Sequence, residues 1–182
     1  GSNAVLKVIS VAASPLHLAL DNAGRFLYVP NTQTVEIIDT TTNTVTGVIA
    51  GLTNAVGVAA HRTLPQVYVT DQAKNELVVI DLPGNNVVSR IPVGPGPSSV
   101  VLNPAGTRAY VANTDGPSVS VVDLATHSVV QTVVIGTGNI APRDLAVHPT
   151  EPLLYVSLFS DAKVVTIDTD TNSVTGSFRT GR

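Results

Sequence analysis

The sequence contains no cysteine, methionine or tryptophan, and only 4% of its 182 residues are aromatic. Without cysteine there is no disulfide, no thiol nucleophile and no thiolate metal ligand. Charged residues make up only 13%, and the ten Lys and Arg residues are scattered along the chain. A nucleic-acid-binding surface needs a basic stripe or stacking aromatic side chains. The composition therefore argues against a nucleic-acid partner.

The chain also lacks a long apolar run. Hydrophobic residues make up 43% of the sequence, but they occur in short runs of Val, Ile, Leu and Ala separated by 14 Gly and 12 Pro. None of these runs approaches the roughly 18 apolar residues that indicate a membrane-spanning helix, so no membrane insertion is expected. Short β-branched runs between turn-forming residues predict β-strands, many of them buried on both faces.

What the sequence does contain is an internal repeat. An Ile-Asp or Val-Asp pair recurs at intervals of 42, 42 and 45 residues, ending at Asp39, Asp81, Asp123 and Asp168. A Tyr-Val pair recurs in step with it, at Tyr28, Tyr68, Tyr110 and Tyr155. Each unit holds four short apolar segments, and no segment has a helical period. Four antiparallel strands in a unit of roughly 40 to 45 residues predict an all-β fold built from β-propeller blades.

The repeat divides the chain into four predicted blades, residues 13–51, 52–94, 95–137 and 138–182. Residues 1–4 are interpreted as the remnant of an expression tag. Residues 5–12 resemble the fourth strand of a preceding blade that is not in the chain. We therefore expect a slice or half of a larger propeller, whose apolar open faces a second chain can cover. A closed four-bladed ring is the alternative.

The aspartates that define the repeat are predicted to cap turns. Asp39, Asp81, Asp123 and Asp168 each end a third strand, where a short carboxylate accepts backbone N–H groups of the following turn. Four residues further on stand Asn43, Asn85, His127 and Asn172, which are residue types that tolerate a left-handed backbone.

Candidate binding residues lie on the first strands, which line the central channel of a propeller. Polar side chains interrupt these apolar strands at His17, Ser99, Arg143 and Asp144. We expect them to form a polar ring at the channel mouth that binds a small polar ligand or a protein; the alternative is that they are simply hydrated.

No metal site, cofactor or catalytic residue is predicted. His61 and His148 occupy one repeated position, where the other copies have Asp21 and Asn103, so they are interpreted as turn residues. Residues 168–172, DTDTN, resemble half of a calcium loop. The glycine and the final glutamate that such a loop requires are replaced by Ser173 and Arg179.

The second strands read LYVPN, VYVTD, AYVAN and LYVSL, and a D-x-x-x-N/H-x-V turn follows each of them. This pattern resembles the YVTN family of β-propeller repeats, found in archaeal and bacterial surface-layer and other exported proteins. The resemblance covers nearly the whole chain and implies a secreted, periplasmic or cell-surface location.

The resemblance favours a non-catalytic binding or scaffold module and leaves catalysis open. The alternative is a propeller enzyme or enzyme subunit, similar to lactonases or to amine dehydrogenases, with its site at the central channel. A third hypothesis is an assembly role in which the blades pair with other copies.

Overall fold

Each repeat forms one four-stranded antiparallel sheet in the computed structural model, which describes residues 4–5, 7–12, 14–138 and 140–179. Blade 1 contains β1 (Ala19–Leu20), β2 (Phe26–Asn31), β3 (Thr34–Asp39) and β4 (Thr44–Ile49). Blade 2 contains β5 (Ala55–Ala60), β6 (Gln66–Asp71), β7 (Glu76–Asp81) and β8 (Asn86–Pro92). Blade 3 contains β9 (Pro97–Leu102), β10 (Arg108–Asn113), β11 (Ser118–Asp123) and β12 (Ser128–Val134). Blade 4 contains β13 (Pro142–Val147), β14 (Leu153–Leu158), β15 (Lys163–Asp168) and β16 (Ser173–Arg179).

The strand register repeats with the sequence. The repeated tyrosine of each second strand lies opposite the residue two positions before the terminal aspartate of the third strand. These pairs are Tyr28 with Ile37, Tyr68 with Val79, Tyr110 with Val121 and Tyr155 with Thr166. Positions that match in the sequence are therefore equivalent in space, which allows the blades to be compared residue by residue.

The hydrophobic core lies between the blades, in three clusters. The cluster between blades 1 and 2 includes Tyr28, Val35, Ile37, Val58, Val67, Val69, Val78 and Ile80. The cluster between blades 2 and 3 includes Tyr68, Leu77, Val79, Val100, Ala109, Val111 and Val122. The cluster between blades 3 and 4 includes Tyr110, Ala112, Val119, Val121, Val133, Leu145, Leu154, Val156, Val165 and Ile167. In each case, the tyrosine of one blade packs onto the next blade.

The first strands β1, β5, β9 and β13 contact one another in that order. Blades 2 and 3 are buried on both faces, as in β6, where every residue from Val67 to Asp71 is buried. Blade 4 is buried on one face only: along β14 the buried and half-buried residues alternate. Since the second face of blade 4 is uncovered, the four blades do not close a ring. The chain is a partial β-propeller.

The segment before blade 1 was expected to form an outer strand of a preceding blade. Residues 5 and 7–12 belong to no strand in this single chain, whereas residues 1–3, 6 and 13 lie outside the described residues. The segment lies against blade 1 instead, where the Ala12 N–H donates to the Glu36 carboxylate at 3.2 Å and Lys7 Nζ donates to the Thr42 carbonyl, also at 3.2 Å. A strand forms only where the edge of a sheet is available for pairing. The role of this N-terminal segment in a complete propeller stays a prediction.

No α-helix occurs among the described residues, and the single 3₁₀ turn is Gln72–Lys74. Consequently, the described chain contains no helix with the length and hydrophobicity to span a bilayer.

Candidate functional site

The predicted site residues lie at the start of the first strands, near the loops that connect one blade to the next. Ser99 and Asp144 are brought together across blades 3 and 4, because Ser99 Oγ donates to Asp144 Oδ1 at 2.9 Å. The same carboxylate oxygen accepts the Leu145 N–H at 2.9 Å. Ser99 is buried and Asp144 is exposed. The pair therefore joins two blades while leaving one carboxylate oxygen toward solvent.

His17 and Arg143 have other partners. His17 Nδ1 lies 3.2 Å from the Val56 carbonyl oxygen, so this nitrogen carries the proton. The Arg143 guanidinium carbon lies 5.6 Å from the centroid of the exposed Phe159 ring, within the range of a cation–π contact. Among the described residues, no hydrogen bond connects His17 with Ser99, Arg143 or Asp144. The four predicted residues thus form one pair and two separate contacts.

A layer of hydroxyl groups, which sequence reasoning missed, joins blades 3 and 4 beside this pair. The Thr114 hydroxyl donates to the Pro142 carbonyl oxygen at 2.7 Å, and its oxygen lies 2.7 Å from Ser98 Oγ. Ser98 Oγ in turn donates to the Arg143 carbonyl oxygen at 3.0 Å. The signal in the sequence was weak, since an isolated Ser or Thr in an apolar strand does not reveal its partner.

In blades 2 and 4, the residue that follows the repeated Tyr-Val pair has a related role. Thr70 Oγ1 accepts the Gly57 N–H at 2.7 Å, and Ser157 Oγ accepts the Asp144 N–H at 3.0 Å. In both blades the register of the first strand shifts at this point. The hydroxyl therefore satisfies an N–H group that the bulge removes from the strand ladder.

The last letter of the repeated YVTN-like motif is a buried polar anchor in the inner blades. Asp71 is fully buried and accepts the N–H groups of Thr53 at 2.9 Å and Asn54 at 3.0 Å. Asn113, also fully buried, donates to Ser118 Oγ and Ser120 Oγ. These contacts hold the connection between blades and the loop between β10 and β11. The resemblance pointed to the motif but not to this structural role.

Charge at the channel mouth is sparse. Among the described residues, no three His, Asp or Glu side chains lie close enough to share a metal ion. Further along the channel, the first strands enclose a groove of about 370 Å³ lined mainly by Leu20, Val58, Val100, Leu102 and Val147 and flanked by Arg62. The channel is therefore polar where the strands begin and mostly aliphatic where they end.

The turn aspartates differ in what they bind. The carboxylates of Asp39, Asp123 and Asp168 each accept two backbone N–H groups, from the residues two and three positions later. These bonds lower the pKa of each group; the leading contributions are the Thr41 hydroxyl at Asp39 and the N–H groups of Thr126 at Asp123 and Thr171 at Asp168. The left-handed residues Asn43, Asn85, His127 and Asn172 have φ values of 53, 51, 51 and 50°.

Asp81 is the exception. Two positions after it stands Pro83, which has no N–H group to donate. In the described part of the chain, no hydrogen bond reaches the Asp81 side chain, although Asn85 still adopts the left-handed backbone. Here the turn keeps its backbone shape without the carboxylate cap.

No family model matches the sequence, and no curated protein matches it. The comparison with solved structures finds "Kuenenia stuttgartiensis Hydrazine Synthase", with a TM-score of 0.84 and 23% identity over 97% of this chain and 52% of that chain. The chain thus spans about half the length of that structure. The likeness shows the β-propeller fold.

Proposed function

We propose that this chain is a non-catalytic scaffold and binding module of the YVTN repeat family that completes its ring with a second copy. The observation that carries this proposal is the open side of blade 4, termed the blade 4 face. It consists of Tyr155, Ser157, Val164, Thr166 and Phe178, all of them half-buried or exposed.

The blade 4 face is one half of an interface that the chain builds three times internally. Its residues are equivalent to Tyr110, Ala112, Val119, Val121 and Val133 of blade 3, which all pack against blade 4. Phe178 is 52% exposed, whereas its equivalent Val133 is 5% exposed. Removing an apolar face of this kind from water is favourable by about 25 cal/mol per Å², so the face is suited to cover by another blade.

The other half of the interface is the outward side of blade 1, termed the blade 1 face. It consists of Leu18, Leu20, Val29, Glu36 and Ile38, which are equivalent to Leu145, Val147, Val156, Val165 and Ile167 on the side of blade 4 that packs against blade 3. Leu18 and Leu20 are mostly exposed, whereas Val29 and Ile38 are buried in the single chain. The blade 1 face of a second copy therefore has the strand spacing that is needed to pack against the blade 4 face.

The two terminal faces differ from the interface between blades 3 and 4 in a complementary way. Glu36 replaces a valine on the blade 1 face, while Ser157 and Thr166 replace Ala112 and Val121 on the blade 4 face. A carboxylate on one side and hydroxyl donors on the other can form charge-assisted hydrogen bonds. This favours pairing of the two terminal faces with each other.

Two chains joined through both contacts form a closed ring of eight blades, within the range of known propellers. Each contact joins unlike surfaces, and the two-fold rotation closes the ring. The N-terminal segment must leave the blade 1 face for the contact to form, because nothing lies between the blades at the three internal interfaces. Deleting residues 1–12 is therefore expected to strengthen pairing.

The native mass by light scattering across a dilution series tests the proposal. The chain is expected to be a dimer that dissociates in the Phe178→Asp variant. The matched control is Val88→Asp, because Val88 is 53% exposed on β8 and lies outside both faces. A chain that stays monomeric near 18.8 kDa at every concentration contradicts the proposal, and polymers of rising mass contradict the closed ring.

The binding surface of the module is proposed to be the channel mouth, where Asp144 and Arg143 are exposed next to Phe159. A small polar ligand or a protein is the proposed partner. By the same family resemblance we propose an extracytoplasmic location, which fractionation of cells that express the natural protein checks.

A propeller enzyme is the second candidate, because the similar solved structure bears the name of an enzyme. A metal-dependent site at the channel would involve Asp144. Calcium titration by calorimetry separates the candidates: the scaffold proposal expects no saturable heat. Saturable binding that Asp144→Asn removes would favour the enzyme.

A further inference from the structure

A cleft of about 650 Å³ opens between blades 1 and 2, at the end of the molecule opposite the channel mouth. Its walls include Phe26, Ile37, Leu64 and Leu82, and Asp21 and Tyr28 contribute polar atoms. This volume falls within the roughly 300 to 1,000 Å³ typical of small-molecule sites. The cleft lies away from the blade 4 face and from the predicted site residues.

Two residues distinguish this cleft from the groove between blades 2 and 3. Gly47 lines it, whereas the equivalent positions in blades 2 and 3 carry the larger side chains Ser89 and Gln131. Asp21 occupies the position of His61, whose Nε2 reaches the Gly106 carbonyl oxygen of the next blade at 2.9 Å. Asn103 of blade 3, like Asp21, accepts hydrogen bonds within its own turn, so the bridge that His61 makes between blades 2 and 3 has no counterpart here.

Asp21 does not bridge to blade 2. Its Oδ1 accepts the N–H groups of Arg25 at 2.7 Å and Phe26 at 3.1 Å within its own turn. Its second carboxylate oxygen accepts no hydrogen bond from the described residues. One acceptor at the edge of the cleft is therefore unused.

Tyr28 provides a second unused polar group. Tyr68 donates its hydroxyl to Gln66 Oε1 at 2.9 Å, and the Tyr110 hydroxyl bonds Thr169. The residue of blade 1 equivalent to Gln66 is Phe26, and the residue of blade 2 equivalent to Thr169 is Leu82. Neither side chain can form a hydrogen bond with the Tyr28 hydroxyl. Within the described chain the Tyr28 hydroxyl makes no hydrogen bond, although the residue is only 2% exposed.

The surroundings of this hydroxyl favour its neutral form. Burial, followed by the charge of nearby Asp21, raises the pKa of Tyr28 to about 12. At neutral pH the hydroxyl can therefore both donate and accept a hydrogen bond. A ligand group that pairs with it must itself be uncharged or a donor, because the Asp21 carboxylate lies close by.

We infer that this cleft binds small neutral aromatic molecules that carry one hydroxyl group. The aromatic ring lies between Ile37, Leu64 and Leu82, which form an apolar wall of the cleft. Its hydroxyl donates to the free oxygen of Asp21 or accepts from Tyr28. Such a ligand can pair with either unused polar group, whereas a purely apolar molecule pairs with neither. This site is independent of ring assembly and of the channel mouth.

The probe for this site is 4-fluorophenol, observed by ¹⁹F NMR, with methyl-labelled protein to locate binding. Saturable binding is expected, with shifts of the Ile37, Leu64 and Leu82 methyl signals. Tyr28→Phe is expected to weaken binding on the order of fivefold, the equivalent of one neutral hydrogen bond. Its matched control, Tyr68→Phe, should leave affinity unchanged.

Filling the cleft gives a second test. Gly47 has an ordinary strand backbone, and an added Cβ would lie 3.3 Å from the mobile end of Ile37, so Gly47→Leu is expected to fold and abolish binding. Gly176→Leu changes the equivalent position in blade 4, where the nearest atom is Thr166 Oγ1 at 3.3 Å, and should bind like the native chain. The inference is overturned if methyl shifts lie elsewhere, if binding does not saturate, or if Gly47→Leu and Tyr28→Phe bind normally.

Discussion

The inner and terminal blades carry the same repeat in different surroundings, and Tyr110 and Tyr155 show the contrast most directly. Both tyrosines occupy the same register position of a second strand. Tyr110 is 1% exposed because blade 4 covers it, whereas Tyr155 is only half-buried because no blade packs on that face here. A residue of the motif thus contributes to the core only when a neighbouring blade is present.

The contrast extends to the composition of the faces. Where both sides of an interface are present in the chain, most of the equivalent positions are aliphatic, although Thr70 and Ser120 occupy two of them between blades 2 and 3. The terminal faces carry Glu36, Ser157 and Thr166 instead. Polar groups on a face make its exposure less costly, and they also give it a preferred partner.

The largest effect is expected when the two tyrosine side chains are truncated to alanine. Tyr110→Ala is expected to lower the free energy of unfolding by roughly 3 to 5 kcal/mol, because it leaves a cavity between two packed blades. Tyr155→Ala should cost about 1 kcal/mol or less, because its surroundings are already partly solvent. Urea denaturation measures both, in the Phe178→Asp background so that assembly does not contribute. Equal losses of unfolding free energy in the two variants would mean that blade 4 is covered in solution.

The next test removes the hydroxyl groups that satisfy the bulges of the first strands. Thr70→Val leaves the Gly57 N–H without a partner in a buried site, and a cost of about 1 to 3 kcal/mol is expected. Ser157→Ala exposes the Asp144 N–H to water instead, so its cost should stay below about 0.5 kcal/mol. Thermal and urea unfolding of the two variants provide the comparison. A larger loss in Ser157→Ala would contradict it.

The smallest expected effect is the contribution of the turn aspartates to stability at low pH. Since hydrogen bonds lower the folded-state pKa of Asp39, Asp123 and Asp168, their stabilising contribution is complete above the ordinary pKa near 4. It is lost as the pH falls through the lower folded-state value. Melting temperatures between pH 6 and pH 3 should therefore fall less steeply in Asp168→Asn than in the native chain.

Asp81→Asn is the matched control for this acid test, because Pro83 deprives the Asp81 turn of the N–H donor that the other turns use. Its melting temperatures should follow those of the native chain at every pH. An equal flattening in Asp81→Asn and Asp168→Asn would show that the acid sensitivity arises elsewhere in the molecule.

Much of the fold could be predicted because local chemistry repeats. The Tyr-Val and Ile-Asp markers predicted four-stranded blades, and the structure confirms this all-β architecture. The left-handed positions of Asn43, Asn85, His127 and Asn172 follow from side chains that tolerate positive φ. Both inferences depend only on residues close together in the sequence.

The candidate site could be predicted only in part. Ser99 and Asp144 were each selected as polar interruptions of a strand, but their contact spans 45 residues and depends on how two blades approach. Ser98 and Thr114 were missed for the same reason. The cleft beside Tyr28 was also not foreseen, because it results from residues that are small or absent at equivalent positions.

The sequence by itself determined the blade, its strands and its turns, because strand periodicity and turn chemistry act over a few residues. Only the tertiary structure decided which faces are buried, which hydroxyl groups find partners and where a cleft remains open. Those properties depend on the distance between blades, and each blade is covered or exposed according to the neighbour that packs against it.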